Sequence, residues 1–443
     1  MSSNVRHKNL LRGIVFRFRT GPLRRFRAKI SANRRLKSTA CFIAITGSSG
    51  KSTTAGLLSH ILSVQGSVRS QILDNTINSV IRTLNRVLPK HQFVVAELGV
   101  GSKGEMAPMA NMFRPEVAIV TMVGQEHYSA FHGAEAVAVE KGALLEALLP
   151  DGLAILNADD PLVMSMAKQT SARVVTFGRA EDADYQVIAV HAAFPEMMSV
   201  SIVGKTGQLD LGSCFPGEHF WMPVVAAVAT AMELGVPPEI IRDRVADFAP
   251  VVNRCHIEGT HNGPTFIVDT VKAPADTLGT AFKMIARANV PFKRIVLGSI
   301  SDYRGKSSKQ YKSAYREARA AADQVIFVGH TSARGKPSEA DLASGRYVHC
   351  PTPKDAFEHI RRTARNDELI LLKGSANLHL ERISLAFRHP VNCWEPACGT
   401  MVNCVACGAF SQTFDRKALR KKKNAARLKF WRPQQETEIH SVR

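Results

Sequence analysis

The sequence predicts an α/β protein in two parts: a phosphate-loop-containing, doubly wound sheet domain, then a second Rossmann-like α/β domain. Three observations carry this expectation. Apolar runs of strand length alternate with helix-like runs from residue 41 onward. The first apolar run opens into Ile-Thr-Gly-Ser-Ser-Gly-Lys-Ser-Thr-Thr at residues 45–54, a Gly-rich loop between a strand and a helix. A second strand–helix series begins after residue 250.

Taken in order, residues 1–40 read as a basic N-terminal arm. Leu11, Ile14, Val15 and Phe18 fall at helical spacing with Arg12, Arg17 and Arg19 between them, before Gly21-Pro22. Such a run suits an anionic membrane surface, with a solvated arm or a targeting peptide as the alternatives. Residues 41–250 form the first domain. Its strand candidates are Phe42–Thr46, Phe93–Leu98, Val117–Val123, Leu153–Asn157 and Val174–Phe177, and residues 185–212 alternate as an antiparallel appendage would. Residues 219–235 and 238–248 read as helices. Residues 251–390 form the second domain, with strand candidates Thr265–Val271, Arg294–Gly298, Gln324–Gly329 and Leu369–Lys373. A cysteine segment (391–410) and a basic tail (411–443) follow.

The 443 residues suffice for two or three cored domains, and no apolar stretch approaches the roughly 20 residues that span a membrane. The net charge of +20 sits at the ends: +12 in residues 1–37 and +7 in residues 415–443, which leaves a near-neutral body. The tail holds Arg420-Lys421-Lys422-Lys423 with Leu428, Phe430 and Trp431, a pattern for lipid headgroups or stacked bases. No DNA- or RNA-binding fold motif occurs, and DNA is not an expected partner.

Gly47, Ser48, Ser49, Gly50, Lys51, Ser52 and Thr53 make the phosphate loop. Small residues let backbone N–H groups approach phosphate oxygens at a helix N-terminus. Lys51 can reach terminal phosphates, and Ser52 or Thr53 can hold Mg²⁺. The spacing is shorter than GxxxxGK[ST] by two residues. Glu97 ends an apolar strand, where an acid beside the loop suits Mg²⁺. His127 follows another strand, Lys141 lies in a helix-like run with solvation as the default, and Asn157-Ala158-Asp159-Asp160 reads as a turn.

Eight cysteines occur. Cys41, Cys214, Cys255 and Cys350 are scattered in apolar settings. Cys393, Cys398, Cys404 and Cys407 have the spacing C-x4-C-x5-C-x2-C, with Gly399 and Gly408 after two of them. Four thiolates so close can form a structural Zn²⁺ site, with an iron–sulfur cluster or free thiols as alternatives. The pattern suggests a reducing cytosol.

Together, Ile-Thr-Gly-Ser-Ser-Gly-Lys-Ser, Ala-Glu-Leu-Gly, Arg-Pro-Glu-Val-Ala-Ile-Val, Val-Gly-Gln-Glu-His and Asp-Gly-Leu-Ala-Ile-Leu-Asn-Ala-Asp-Asp-Pro resemble the central ATPase domain of the Mur ligases. Pro250 to Arg254, Asp269 to Pro274, Leu372-Lys373-Gly374-Ser375 and Glu381-Arg382 continue the resemblance, closest to the D-alanyl-D-alanine-adding branch, over residues 41–390. It implies ATP and Mg²⁺ as cofactors, and an amide bond made by amine attack on an acyl phosphate. It implies Ser52 and Glu97 on one Mg²⁺, His127 on a second, and Lys141 at the position that several members carbamylate. Arg254 matches a phosphate contact, Asp269 an acid near the ribose, and Lys373 and Ser375 a substrate-facing loop.

Three departures are expected to matter. Between the arm and the loop there is no room for the domain that grips UDP in the cell-wall enzymes. The adenine-contacting His-Asn-x-x-Asn appears as His219-Phe220-Trp221-Met222-Pro223, and the Asn or His expected after Asp269 is Lys272. The expectation is therefore an ATP-dependent carboxylate–amine ligase for a peptide, polyglutamate-like or cell-envelope acceptor. It would be cytoplasmic, at the inner face of a membrane, with an amine-supplying subunit left open. The alternative is a nucleotide-binding scaffold on a Mur-like body, docked to membrane or RNA by its tails.

Overall fold

The computed structural model describes residues 22–124, 128–330, 332–395, 398–400 and 402–416. The amphipathic run 5–19 and the aromatic part of the basic tail lie outside them.

The first sheet has nine strands in the order β2-β3-β1-β4-β5-β6-β7-β8-β9. In chain order they are β1 (Cys41–Thr46), β2 (Val68–Gln71), β3 (Phe93–Glu97), β4 (Val117–Val120), β5 (Leu153–Asn157), β6 (Arg173–Gly178), β7 (Tyr185–Ala193), β8 (Glu196–Gly204) and β9 (Gly207–Gly212). Strands β2 to β7 pair in parallel, and β7, β8 and β9 pair antiparallel. Side chains of β1 go alternately to two apolar cores: Phe42 and Ala44 to one, Ile43 and Ile45 to the other. That alternation is the period of two of a strand covered on both faces. Since β1 lies between β3 and β4, the chain order reverses beside it, and a crevice opens at its C-terminal end.

The second sheet has the order β10-β11-β15-β12-β13-β14. Its strands are β10 (His256–Glu258), β11 (Thr265–Asp269), β12 (Phe292–Leu297), β13 (Gln324–Val328), β14 (Tyr347–Cys350) and β15 (Glu368–Lys373). Only β10 is antiparallel to its neighbour. The core holding Ile43 continues into this domain through Ile267, Leu278 and Phe282.

Part of the expected arm is a docked helix, Pro22–Leu36. Ser31 Oγ donates to Ile81 O (3.4 Å) and Arg34 Nη1 to Asn85 O (2.6 Å). Arg35, only 7% exposed, pairs with Glu116, donates to Phe113 O (2.8 Å) and lies 3.9 Å from the centre of the Phe42 ring. A buried guanidinium persists where acceptors surround it, so this stretch is part of the first domain's wall.

Candidate active site

The loop after β1 takes its shape from two glycines. Gly47 has φ +141° and a Cβ there would overlap Thr121 Oγ1; Gly50 has φ +83° and abuts Met222. Thr121 Oγ1 donates to Ser49 O (2.6 Å), Ser48 N–H to Met122 O (2.7 Å), and Gly124 N–H to Ser48 Oγ (2.8 Å). Asn157 Nδ2 donates to Thr121 O (2.8 Å), while Asp160 accepts from Val123 N–H (2.7 Å) and caps the helix Pro161–Ser165. The Asn157–Asp160 turn therefore ties the end of β4, and Thr121 with it, to the phosphate loop.

The helix Lys51–Leu62 starts at the loop, with Ser52 and Thr53 buried in its first turn. Lys51 Nζ donates to Gly47 O, and Lys141 Nζ donates to the same carbonyl (3.2 Å). Lys141 is fully buried, so its default reading as a solvated lysine is corrected. Its helix, Ala134–Glu146, packs against the loop side of the sheet and carries the ammonium inward. Glu97, 1% exposed, accepts from Leu73 N–H (2.6 Å) at the end of β3. His127 lies outside the described residues.

The geometry fits a nucleotide. Gly47 and Gly50 leave a cradle that side chains would fill, and the Nζ atoms of Lys51 and Lys141 meet on one of its carbonyls. Ser52 and Glu97 supply the hard oxygen donors that Mg²⁺ takes. Arg254, in the connection to β10, has a buried Nε with no hydrogen-bond partner, as a donor awaiting an anion would.

The second domain meets this loop. An added Cβ on Gly124 would lie 3.5 Å from Ser48 Cβ and 3.6 Å from Asp276 Oδ2. Asp276 opens the helix Ala275–Arg287, and nothing in its sequence context signalled the placement. Asp269 and Lys373 end adjacent strands in register, and Lys373 Nζ bonds Asp269 Oδ2 (2.5 Å) and Lys272 O (2.9 Å). Both side chains are nearly buried, and they neutralise each other at the strand ends. Lys272 is exposed, and Ser375 is half-buried beside β12 with its N–H on Ser299 O (3.3 Å).

His219 is half-buried, and its desolvation pushes its pKa down to about 4; Asp269 opposes that shift and Lys373 adds to it. Phe220 stacks on Phe215 with centroids 4.6 Å apart, and Pro223 is buried in the helix Trp221–Glu233. The two positions expected to carry asparagine thus serve the core.

The four C-terminal cysteines are free and, with His379 and Arg382, line one cavity of about 100 Å³. Among the described residues, the ligand atoms found within 4.8 Å of one another are those of His379, Glu381 and Cys404. His379 and Glu381 were not legible as site residues, because both lie well ahead of the cysteine pattern.

A family model of the Mur ligase middle domain matches residues 45–231, and one of the Mur ligase glutamate ligase domain matches residues 253–376. The UDP-N-acetylmuramoyl-tripeptide–D-alanyl-D-alanine ligase of Escherichia coli is 26% identical over 360 residues, covering 79% of this chain and 77% of the relative. A crystal structure of MurF from Acinetobacter baumannii superposes with a TM-score of 0.75 at 24% identity, covering 82% of this chain and 80% of the other. MurF ligase from Thermotoga maritima in complex with ADP gives a TM-score of 0.70 at 18% identity, covering 82% and 83%. The likenesses to these two structures speak for the fold.

Proposed function

Because this chain belongs to the Mur ligase family and is an ATP-dependent acid–amino-acid ligase, we propose that it joins an amine to the carboxylate of a peptide, polyglutamate-like or cell-envelope acceptor through an acyl phosphate. The observation that carries the reading is the convergence of Lys51 and Lys141 on Gly47 O, inside a loop shaped by Gly47 and Gly50.

In this mechanism the loop's backbone N–H groups hold the phosphates of ATP, and Lys51 offsets charge as the acceptor carboxylate approaches the γ-phosphate. Ser52 and Glu97 would hold Mg²⁺, with His127 as the expected ligand of a second ion. Bound Mg²⁺ supplies the remaining charge neutralisation. Arg254, whose buried Nε has no hydrogen-bond partner, would contact a phosphate oxygen. Lys141 is the residue for carbamylation, which would turn a buried ammonium into an anionic oxygen ligand. Asp269 and Lys373 act as a pair that holds the second domain's strand ends toward the cleft, beside Lys272 and Ser375. The basic segments outside the described residues would hold the enzyme at an anionic cytoplasmic membrane face, where a separate subunit can deliver the amine.

The test is phosphate release from Mg-ATP across a panel of acid and amine pairs, with Lys51→Ala as control. Release that needs both substrates and is lost in the variant supports the ligase. A chain that binds no nucleotide overturns it. Phe220 and Pro223 at the adenine-contact positions favour one further reading, a nucleotide-dependent scaffold. Nucleotide binding without release across the panel is the result expected of that.

A further inference from the structure

The C-terminal segment closes over the helix Glu381–Ala386, with Asn392 and Cys393 N–H groups both on Phe410 O (2.8 and 3.0 Å). Inside it, Arg382 is 1% exposed, and its recorded hydrogen bonds run from Nε to Cys404 Sγ (3.0 Å) and from Nη1 to Glu395 O (2.8 Å). A guanidinium stays protonated, and burying it calls for an anion. A metal-bound cysteine sulfur accepts such N–H donors. Cys398 Sγ lies 3.2 Å from His379 Nε2, a second buried nitrogen beside a sulfur. His379 itself sits at φ +51°, a left-handed conformation uncommon for a residue with a Cβ. Its Nδ1 is held by Glu381 Oε1 (3.0 Å).

The cluster reaches the other site through Glu381. Its Oε1 also accepts from Cys404 N–H (3.2 Å), and its Oε2 accepts from Thr270 Oγ1 (3.4 Å). Thr270 follows Asp269, the partner of Lys373.

We infer that this cavity holds one thiophilic divalent cation of the zinc class on the cysteine thiolates, oriented by Arg382 and His379, and that the cation fixes the end of β11 through Glu381 and Thr270. Cationic and N–H donors around a metal–thiolate centre are the outer partners such centres use. The cation's presence is independent of the ligase reading; only its consequence for catalysis rests on that reading.

The experiment uses the full chain, produced with zinc under reducing conditions and dialysed. Elemental analysis is expected to find about one zinc per chain, and cobalt exchanged into the site should show intense thiolate-to-cobalt absorption. The Cys398→Ser/Cys404→Ser pair should fall below about a tenth of that content, and Lys51→Ala should keep it. Stripping zinc from the unmodified chain with a chelator avoids reliance on a variant's folding. It should speed amide exchange across residues 265–271 by about tenfold, with residues 41–46 unchanged. A folded, nucleotide-binding chain without metal overturns the site, and so does a disulfide between these cysteines in the intact protein. Zinc without the exchange change overturns the coupling. If phosphate release fails while zinc and exchange behave as stated, the ligase reading falls and this site stands.

Discussion

Lys373 Nζ lies 2.5 Å from Asp269 Oδ2, across strands whose register sets the two residues side by side. Neither charge has much access to water, so each depends on the other. Removing one partner should strand its mate. Asp269→Ala is expected to cost about 3 to 5 kcal/mol in urea unfolding. Replacing both, as Asp269→Asn with Lys373→Met, should cost less than the two single changes added together. Additive losses would mean that the pair is not energetically coupled.

Gly47 holds a positive φ directly against Thr121. Gly47→Ala must displace either the loop or β4. Nucleotide affinity should drop by at least about tenfold, near 1.4 kcal/mol, beside a loss of about 1 kcal/mol or more in folding stability. Titration calorimetry with a non-hydrolysable ATP analogue reads this, and unchanged affinity would remove the loop from the binding site.

Lys141 is buried on the carbonyl that Lys51 also uses. Lys141→Met keeps most of the buried chain and removes the charge. Turnover should fall by about a hundredfold. The unmodified enzyme, given ¹³C-bicarbonate, should show a carbamate carbon resonance that the variant lacks. Full turnover in the variant would dismiss the residue from the site.

His219 gives a pH dependence of definite sign. Desolvation pushes its pKa down to about 4 from the ordinary 6.5, so the folded protein holds it neutral. Between pH 6.5 and 4 the unfolded chain takes up a proton that the folded chain refuses. Stability should therefore decline as pH falls through that window, by about 3 kcal/mol in all. His219→Phe should flatten that part of the profile in chemical denaturation, and an unchanged slope would place the dependence elsewhere.

Arg35 anchors the helix Pro22–Leu36 to the first domain. Arg35→Met should lose about 1 to 3 kcal/mol through Glu116 and the carbonyls of Phe113 and Arg114. Thermal unfolding measures it. Wild-type stability would show that the helix is only loosely docked.

The interior strands were legible because each is a continuous apolar run, as strands covered on both faces are. Leu153–Asn157 is observed with the bounds its apolar run gave, and β1, β3 and β13 differ from theirs by a residue. The strands that escaped notice, β2, β10 and β14, lie at sheet edges, as Val-Arg-Ser-Gln and His-Ile-Glu illustrate. Such short, polar segments take their conformation from a neighbour's unpaired backbone, which no local pattern records. In the site, Gly47, Gly50 and Lys51 were readable because one short segment builds the whole cradle.

By itself, then, the sequence determined the family, the alternation that makes two sheets, and the phosphate loop, since each is written in contiguous residues. Tertiary structure decided what pairing across the chain decides. It buried Lys141 against Gly47, joined Asp269 to Lys373, turned the basic segment before β1 into a docked helix, and set His379 and Glu381 beside the cysteines. A charge's fate depends on the dielectric and partners around it, and those are contributed by residues more than a hundred positions away.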